Sequence, residues 1–205
     1  MIQVIQYKGS ITTLMYNQVK SIEKLILSGK KVFTAGDLAV LWEITDKNKL
    51  SERIKYYLKN KRLKSIHRGI YVYDNSYTKE DIAQKLFPLS YISLYTTSQI
   101  YGLTFQYYSD IYSIALKSKK YEIDGTIYIY HKVKESIFYN TIGLINNGRY
   151  TVSSKERTIC DMLYVFPKIS FDNLREINIK KLEEISKIYD NKRLEKSIKN
   201  IIFEH

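Results

Sequence analysis

Between Lys47 and Arg68 the chain carries nine basic residues, Lys47, Lys49, Arg53, Lys55, Lys59, Lys61, Arg62, Lys64 and Arg68, against one acid, Glu52. Cations at this density suit the electrostatic binding of nucleic acid, because each phosphate they neutralise releases condensed counterion. The plainer reading is a solvated face on a chain rich in Lys, Ile, Asn and Tyr, residues favoured by AT-rich coding. The balance of 26 Lys to 7 Arg fits that reading. The placement of the charge favours binding. Residues 1–75 hold 14 Lys/Arg and 6 Asp/Glu, net +8, whereas residues 76–205 hold 19 and 15, net +4.

Other residues with chemical potential are sparse. Glu156 and Asp161 could serve as acid, base or metal ligands, but no second acidic or histidine cluster at ligand spacing accompanies them. They read better as a helix pair, Glu156 favouring the N-terminus and Asp161 pairing with Arg157 one turn away. A metal-dependent nuclease would need an Asp on one strand and Asp/Glu-x-Lys on the next. Here Asp124 is followed by Tyr130-His131-Lys132, with a tyrosine where the acid should stand, and His131 reads as a strand-surface residue. The single cysteine, Cys160, lies in an apolar run and reads as a small buried hydrophobe, which excludes a disulfide within the chain. No glycine-rich phosphate loop, zinc pattern or nucleophile elbow occurs, so we expect neither an enzyme nor a cofactor. Tyr107, Tyr108, Tyr112, Tyr121, Tyr128 and Tyr130 cluster in sequence. They could stack unpaired bases, although β-propensity explains them more simply.

The basic residues need a scaffold, and the sequence specifies one. Leu50, Ile54, Tyr57 and Leu58 recur at helical spacing and leave Asn48, Glu52, Lys55, Tyr56 and Lys59 on the opposite face. Strand-like runs Leu63–Ile66 and Ile70–Tyr73 then flank His67-Arg68-Gly69, where Gly69 can take the positive φ of a tight turn. Upstream, Met1–Ile11 is β-like. Thr12 and Thr13 can cap a helix with the stripe Met15, Val19, Ile22, Leu25 and Ile26, ending at Gly29. Thr34 with Asp37 caps a short helix, Ala35–Leu41, and Trp42 is expected in the core. Helix, short helix, turn, basic helix and hairpin make the pattern of a winged helix-turn-helix. In that pattern Asn48, Ser51, Lys55 and Tyr56 would face base edges or nearby phosphates, and Lys49 and Arg53 belong to the same DNA-binding set. Lys59, Lys61, Arg62, His67 and Arg68 would touch backbone. Glu52 could accept from a cytosine amine, but pairing with Lys55 or Tyr56, or solvation, is the expectation.

Asp74-Asn75-Ser76 is a turn cluster, giving domains at 1–75 and 76–205. The second domain should begin with a helix Lys79–Phe87 capped by Thr78 with Asp81. An extended Ser90–Ser93 follows, with Ser93 capping a helix to Tyr101. A meander of Ile111–Leu116, Lys120–Ile123 and Thr126–Tyr130 comes next, turning at Asp124-Gly125. Strands Phe138–Ile145 and Arg149–Val152, a helix Lys155–Val165 capped by Ser153 or Ser154, and a helical last 35 residues complete it. The fold class expected is α+β: an N-terminal winged helix-turn-helix, then a mixed domain with an antiparallel sheet and C-terminal helices. The N-terminus lacks a signal-peptide pattern and no apolar run approaches the roughly 20 residues of a membrane span. A cytoplasmic protein without a membrane partner is therefore expected.

Four segments carry a family resemblance: Lys31-Val-Phe-Thr-Ala-Gly-Asp-Leu, Arg68-Gly-Ile-Tyr, Ser90-Tyr-Ile-Ser-Leu with Gly102-Leu, and Ser153-Ser-Lys-Glu-Arg-Thr-Ile-Cys-Asp-Met-Leu-Tyr. In order and spacing, from about Val32 to Pro167, they resemble the AbiEi antitoxins of abortive-infection, type IV toxin–antitoxin systems. The resemblance implies a winged-helix repressor that binds inverted repeats in its own promoter. It also implies a C-terminal domain that relieves the toxicity of a nucleotidyltransferase, without requiring a stable complex. Ser153, Ser154, Glu156, Arg157 and Asp161 fall on the family's Ser-Pro-Glu-Lys-Ala-like stretch. Lys155, Arg157 and Thr158 depart from it, and arginine for lysine keeps the charge while changing its geometry. The rivals are a stand-alone winged-helix regulator with a ligand-sensing or dimerising C-terminal domain and, behind it, the nuclease.

Overall fold

The structure is a computed structural model and describes residues 21–203. The expectations for Met1–Ile11, Thr12, Thr13, Met15 and Val19 lie outside those residues. The chain divides into two compact units between Thr78 and Lys79.

In the first unit, α1 is helical over residues 21–27 and ends at Gly29, whose φ of +68° an L side chain would resist. Leu25 is buried, whereas Ile26, expected on the same stripe, is exposed. A strand the sequence reading missed, β1 (Val32–Thr34), leads into α2 (Ala35–Trp42). Thr34 and Asp37 form a full capping box: the Asp37 N–H donates to Thr34 Oγ1 at 3.1 Å, and the Thr34 N–H to Asp37 Oδ2 at 2.8 Å. Asp46 caps α3 (Lys47–Lys59) by accepting from the Lys49 N–H at 2.9 Å. Strands β2 (Lys64–His67) and β3 (Ile70–Val72) form an antiparallel hairpin that pairs His67 with Ile70, and β1 pairs with the other edge of β3. The order is β1-β3-β2. Leu25, Phe33, Leu38, Trp42, Ile54, Tyr57 and Leu63 make one core. Trp42 stacks on Tyr57 at 5.2 Å, and its indole N–H donates to the Ser21 carbonyl.

The second unit is a six-stranded mixed sheet between helices. Its elements in order are α4 (Lys79–Leu86), β4 (Ser90–Ile92), α5 (Tyr95–Ile100), β5 (Ile111–Ala115), β6 (Lys119–Ile123) and β7 (Thr126–Lys132). Then come α6 (Glu135–Phe138), β8 (Leu144–Asn146), β9 (Thr151–Ser153), α7 (Lys155–Val165), α8 (Ile179–Ser186), a 3-10 turn Lys187–Tyr189 and α9 (Lys192–Phe203). The strand order is β6-β7-β5-β4-β9-β8. Tyr91 and Ile114, cross-strand partners, share a core with Ile159 and Met162 of α7, Leu182 of α8 and Leu194 of α9. On the other side the Tyr130 hydroxyl donates to the Ala83 carbonyl of α4 at 2.6 Å.

Several sequence expectations fail here for identifiable reasons. The sheet is mixed rather than antiparallel, because β4 pairs with β9 and β5 with β7 in parallel. The expected meander forms only in part: β6 and β7 pair as the antiparallel hairpin expected at Asp124-Gly125, but β5 lies beside β7, in parallel, and not beside β6. The lysine-rich, mostly exposed β6 tolerates an edge, whereas β7 buries alternate residues and belongs inside. Phe138–Ile145 is not a strand. Residues Glu135–Phe138 turn as α6, and Gly143 at φ +78° redirects the chain before β8. Ser93 caps no helix. Leu94 stands at the start of α5 with φ 58° and no side-chain cap, and Ser93 is turned inward. Residues 171–178, within the stretch expected to be helical, are not.

Gly143 is packed as well as bent. A Cβ there would lie 2.8 Å from Ile185 Cδ1 and 2.9 Å from Arg157 Cβ. Gly148 has a similar φ of +84° but open space around it. Gly143→Ala should therefore destabilise the protein by about 2–4 kcal/mol, and Gly148→Ala by about 1 kcal/mol, in urea unfolding. Equal losses would show that the backbone conformation alone sets the cost.

Candidate functional site

The basic residues are exposed on α3, the turn after it and the hairpin of the first unit. Burial of Ile54 and Tyr57, with Leu50 and Leu58 half-buried, sets the rotation of α3. That rotation leaves Asn48, Lys49, Ser51, Glu52, Arg53, Lys55, Tyr56 and Lys59 exposed. Lys61, Arg62, Lys64 and Arg68 are exposed on the following turn and the hairpin, and His67 is half-buried beside Arg68. Lys61, at φ 55°, lets the chain reverse from α3 into β2. None of the nine Lys/Arg forms an ion pair among the described residues. Arg53 alone of them has a ring contact, its guanidinium 6.0 Å from the Trp42 ring centroid, at the margin of the face. Of the two outcomes expected for Glu52, pairing with Lys55 or Tyr56 or solvation, the structure shows solvation: the side chain is exposed. Its carboxylate has no ion pair and no hydrogen bond among the described residues.

The second set of named residues is interior. Ser153, at the end of β9, Ser154, which caps α7, and Glu156, Arg157 and Asp161 on α7 are all buried. Arg157 Nε approaches Asp161 Oδ1 at 3.7 Å, and both side chains are fully enclosed. The guanidinium donates to the carbonyls of Ile137 at 2.8 Å and Ile142 at 3.0 Å, and to the Tyr91 hydroxyl at 3.2 Å. Its cation lies 5.4 Å from the Tyr189 ring centroid and 5.6 Å from that of Tyr91. Asp161 accepts from Ser93 and Tyr189 at 2.6 Å each and from Tyr91 at 3.1 Å. Burial pushes its carboxyl above the usual range, and Arg157 and the three hydroxyls oppose that shift.

A chain of hydroxyls feeds this pair. Ser153 donates to Ser93 at 2.9 Å and contacts Thr158 at 2.7 Å, and Thr158 donates to Thr97 at 2.8 Å. Each hydroxyl has one hydrogen, so the Ser153–Ser93 link runs toward the carboxylate. The network sits where parallel β4 and β9 end and α5 and α7 begin, a common ligand position in sheets of this kind. Here side chains fill it. Thr97 and Tyr189 signalled nothing to sequence reasoning, and Tyr91, Ser93, Ser153 and Thr158 entered it only through the resembling segments or as cap positions, because the spacing of the network follows the sheet and not the chain. Glu156 departs from the simple helix-end role: its carboxylate takes the Ser154 hydroxyl at 3.0 Å and Lys181 of α8 at 3.2 Å.

The remaining candidates are dispersed. Cys160 is buried, and burial holds its thiol well above the ordinary range, so it is no thiolate nucleophile. His131 is half-buried against Tyr112 and Phe166 rather than on a strand surface, and burial lowers its pKa. Tyr128 and Tyr130 are buried, and Tyr112 and Tyr121 are half-buried, so these positions present no row of rings to bases. Tyr107 is exposed. Among the described residues no group of three His, Cys, Asp or Glu could hold a metal ion. No described helix is long and apolar enough to cross a membrane.

No protein-family model matches the chain, and no curated protein matches it either. The resemblance to the AbiEi antitoxins therefore rests on the four sequence segments alone.

Two outcomes test the interior cluster. Asp161→Asn keeps the shape but strands Arg157 without its counter-charge. It should cost about 3–5 kcal/mol in chemical denaturation, against a negligible change for exposed Glu183→Gln. Burial raises the Glu156 carboxyl, but backbone, Ser154 and Lys181 outweigh this and hold it below its usual value. A depressed folded value stabilises above the unfolded value and loses that effect as pH falls through the folded one. The deficit of Glu156→Gln should thus be present at neutral pH and be lost as the pH falls below the ordinary glutamate range. A deficit independent of pH would assign the loss to packing.

Proposed function

We propose that the first unit is a winged helix-turn-helix that binds double-stranded DNA, with α3 entering the major groove and the β2–β3 hairpin lying against the backbone. The single observation that carries this is nine exposed cations on α3, the turn after it and the hairpin, with no ion pair among the described residues. A solvated protein surface of mixed charge pairs many of its cations at little gain, whereas an unpaired, one-signed face is suited to a polyanion. The order α2, turn, α3, hairpin, with β1 completing a three-stranded sheet, supports the motif.

On the resemblance, we further propose that the protein represses its own promoter at inverted repeats. In the same reading it acts as the antitoxin to a nucleotidyltransferase toxin of a type IV system. The matching residues Ser153, Ser154, Glu156, Arg157 and Asp161 are interior, which supports a scaffolding role for them within that activity. They hold the sheet's helices in place and do not themselves meet a partner.

Binding to the protein's own promoter fragment across a salt series is the direct test. The affinity should fall steeply with salt. In Lys55→Ala/Lys59→Ala the slope of log K against log salt should be shallower by about 2, one counterion per lost phosphate contact. Absent binding, or an unchanged slope, would return the face to simple solvation. Rescue of growth in cells expressing an adjacent nucleotidyltransferase toxin tests the antitoxin reading separately.

A further inference from the structure

On α3 the buried Ile54 and Tyr57 fix the inward direction, and at about 100° per residue Glu52 falls at the centre of the opposite face. Around it, one turn before or after, stand Asn48, Lys49, Lys55 and Tyr56, and Lys59 lies two turns on. All are exposed, and the lysines flank the carboxylate on both sides. Despite that company Glu52 forms no ion pair among the described residues. It is the sole acid from Lys47 to Arg68.

A helix that docks by this face presents its midline to the groove floor and its flanks to the phosphate walls. The lysines beside Glu52 are placed for the walls, and the carboxylate is placed for base edges. An ionised carboxylate only accepts hydrogen bonds. Among bases in the major groove, guanine offers two acceptors, thymine an acceptor and a methyl, and adenine a donor beside the N7 acceptor. Cytosine offers an amino donor without an acceptor of its own beside it. An acid in the middle of a phosphate-binding face also repels DNA wherever that donor is missing, so it discriminates in both directions.

We propose that Glu52 is the specificity-determining residue of this face and reads the N4 amine of a cytosine in the major groove. The proposal rests on the DNA-binding reading above and can fail independently of it.

The experiment is selection from a random duplex library with the full-length wild type, Glu52→Ala and Glu52→Gln, followed by affinities for the selected and a scrambled duplex over a salt series. Wild type should enrich a site with a fixed C·G pair. Changing that pair should weaken wild-type binding about 10- to 100-fold and leave Glu52→Ala nearly indifferent. Glu52→Ala should bind scrambled DNA as tightly as wild type or more so, which also shows that it is folded. Glu52→Gln should shift its preference at that position toward A·T, since an amide can both donate and accept. If Glu52→Ala tightens selected and scrambled DNA by the same factor, the carboxylate only repels and the proposal falls. If wild type binds with steep salt dependence but enriches no sequence, the proposal falls while DNA binding stands. If wild type binds no DNA, both fall.

Discussion

A guanidinium with no access to water is the constraint around which the second unit is built. Arg157 is fully buried, and a buried cation is tolerated only where charge and donors are matched by partners. Asp161 supplies the counter-charge, the carbonyls of Ile137 and Ile142 take two of the guanidinium's donors, and the rings of Tyr91 and Tyr189 lie within cation–π distance of it. These partners come from β4, the α6–β8 connection, α7 and the 3-10 turn before α9. The glycine at 143 is part of the same arrangement, because a side chain there would strike Arg157. A lysine could not replace the guanidinium, since one ammonium cannot span two carbonyls, a hydroxyl and a carboxylate in a plane.

The two units thus use charge in opposite ways. In the second, an arginine and two acids are enclosed among partners, with Arg157 Nε alone of the guanidinium nitrogens lacking a hydrogen bond among the described residues, and they contribute order to the interior. In the first, cations are carried outward on a helix whose inner face is conventional: Ile54 and Tyr57 against Trp42, Phe33 and Leu38. The capping box at Thr34 and the Asp46 cap set where α2 and α3 begin, and with them the rotation of α3. On the proposed reading, that rotation decides which side chains meet bases and which meet phosphates. A change in the core beneath α3 would alter binding without touching a contact residue.

Where local rules suffice, the sequence was legible. The Thr34–Asp37 box, the Asp124-Gly125 turn with both residues at positive φ, and the helix Lys155–Val165 capped by Ser154 each follow from residues within a few positions of one another. The exposed face of α3 was legible for the same reason. What failed was non-local. A three-residue strand such as β1 or β8 carries too little alternation to register, and parallel pairing of β4 with β9 leaves no mark in either segment. The cluster around Arg157 was half visible. Its i,i+4 partner Asp161 could be read from spacing, but its burial could not, because Tyr91, Ser93 and Tyr189 are 66, 68 and 28 residues from the atoms they serve. Leu94 misled, since a leucine at φ 58° after a serine looks like an ordinary capped start.

The same separations bear on how the chain folds as it is made. The partners of Arg157 and Asp161 run from Tyr91 to Tyr189, so this cluster cannot be completed until the chain as far as Tyr189 has left the ribosome. The core of the first unit draws its described residues from within the first 78 and has no such debt to the C-terminus. Long-range closure is slow and local closure fast, which favours the basic unit folding before the second. A nascent chain that folds in that order displays its cationic face while the residues up to Tyr189 are still being added.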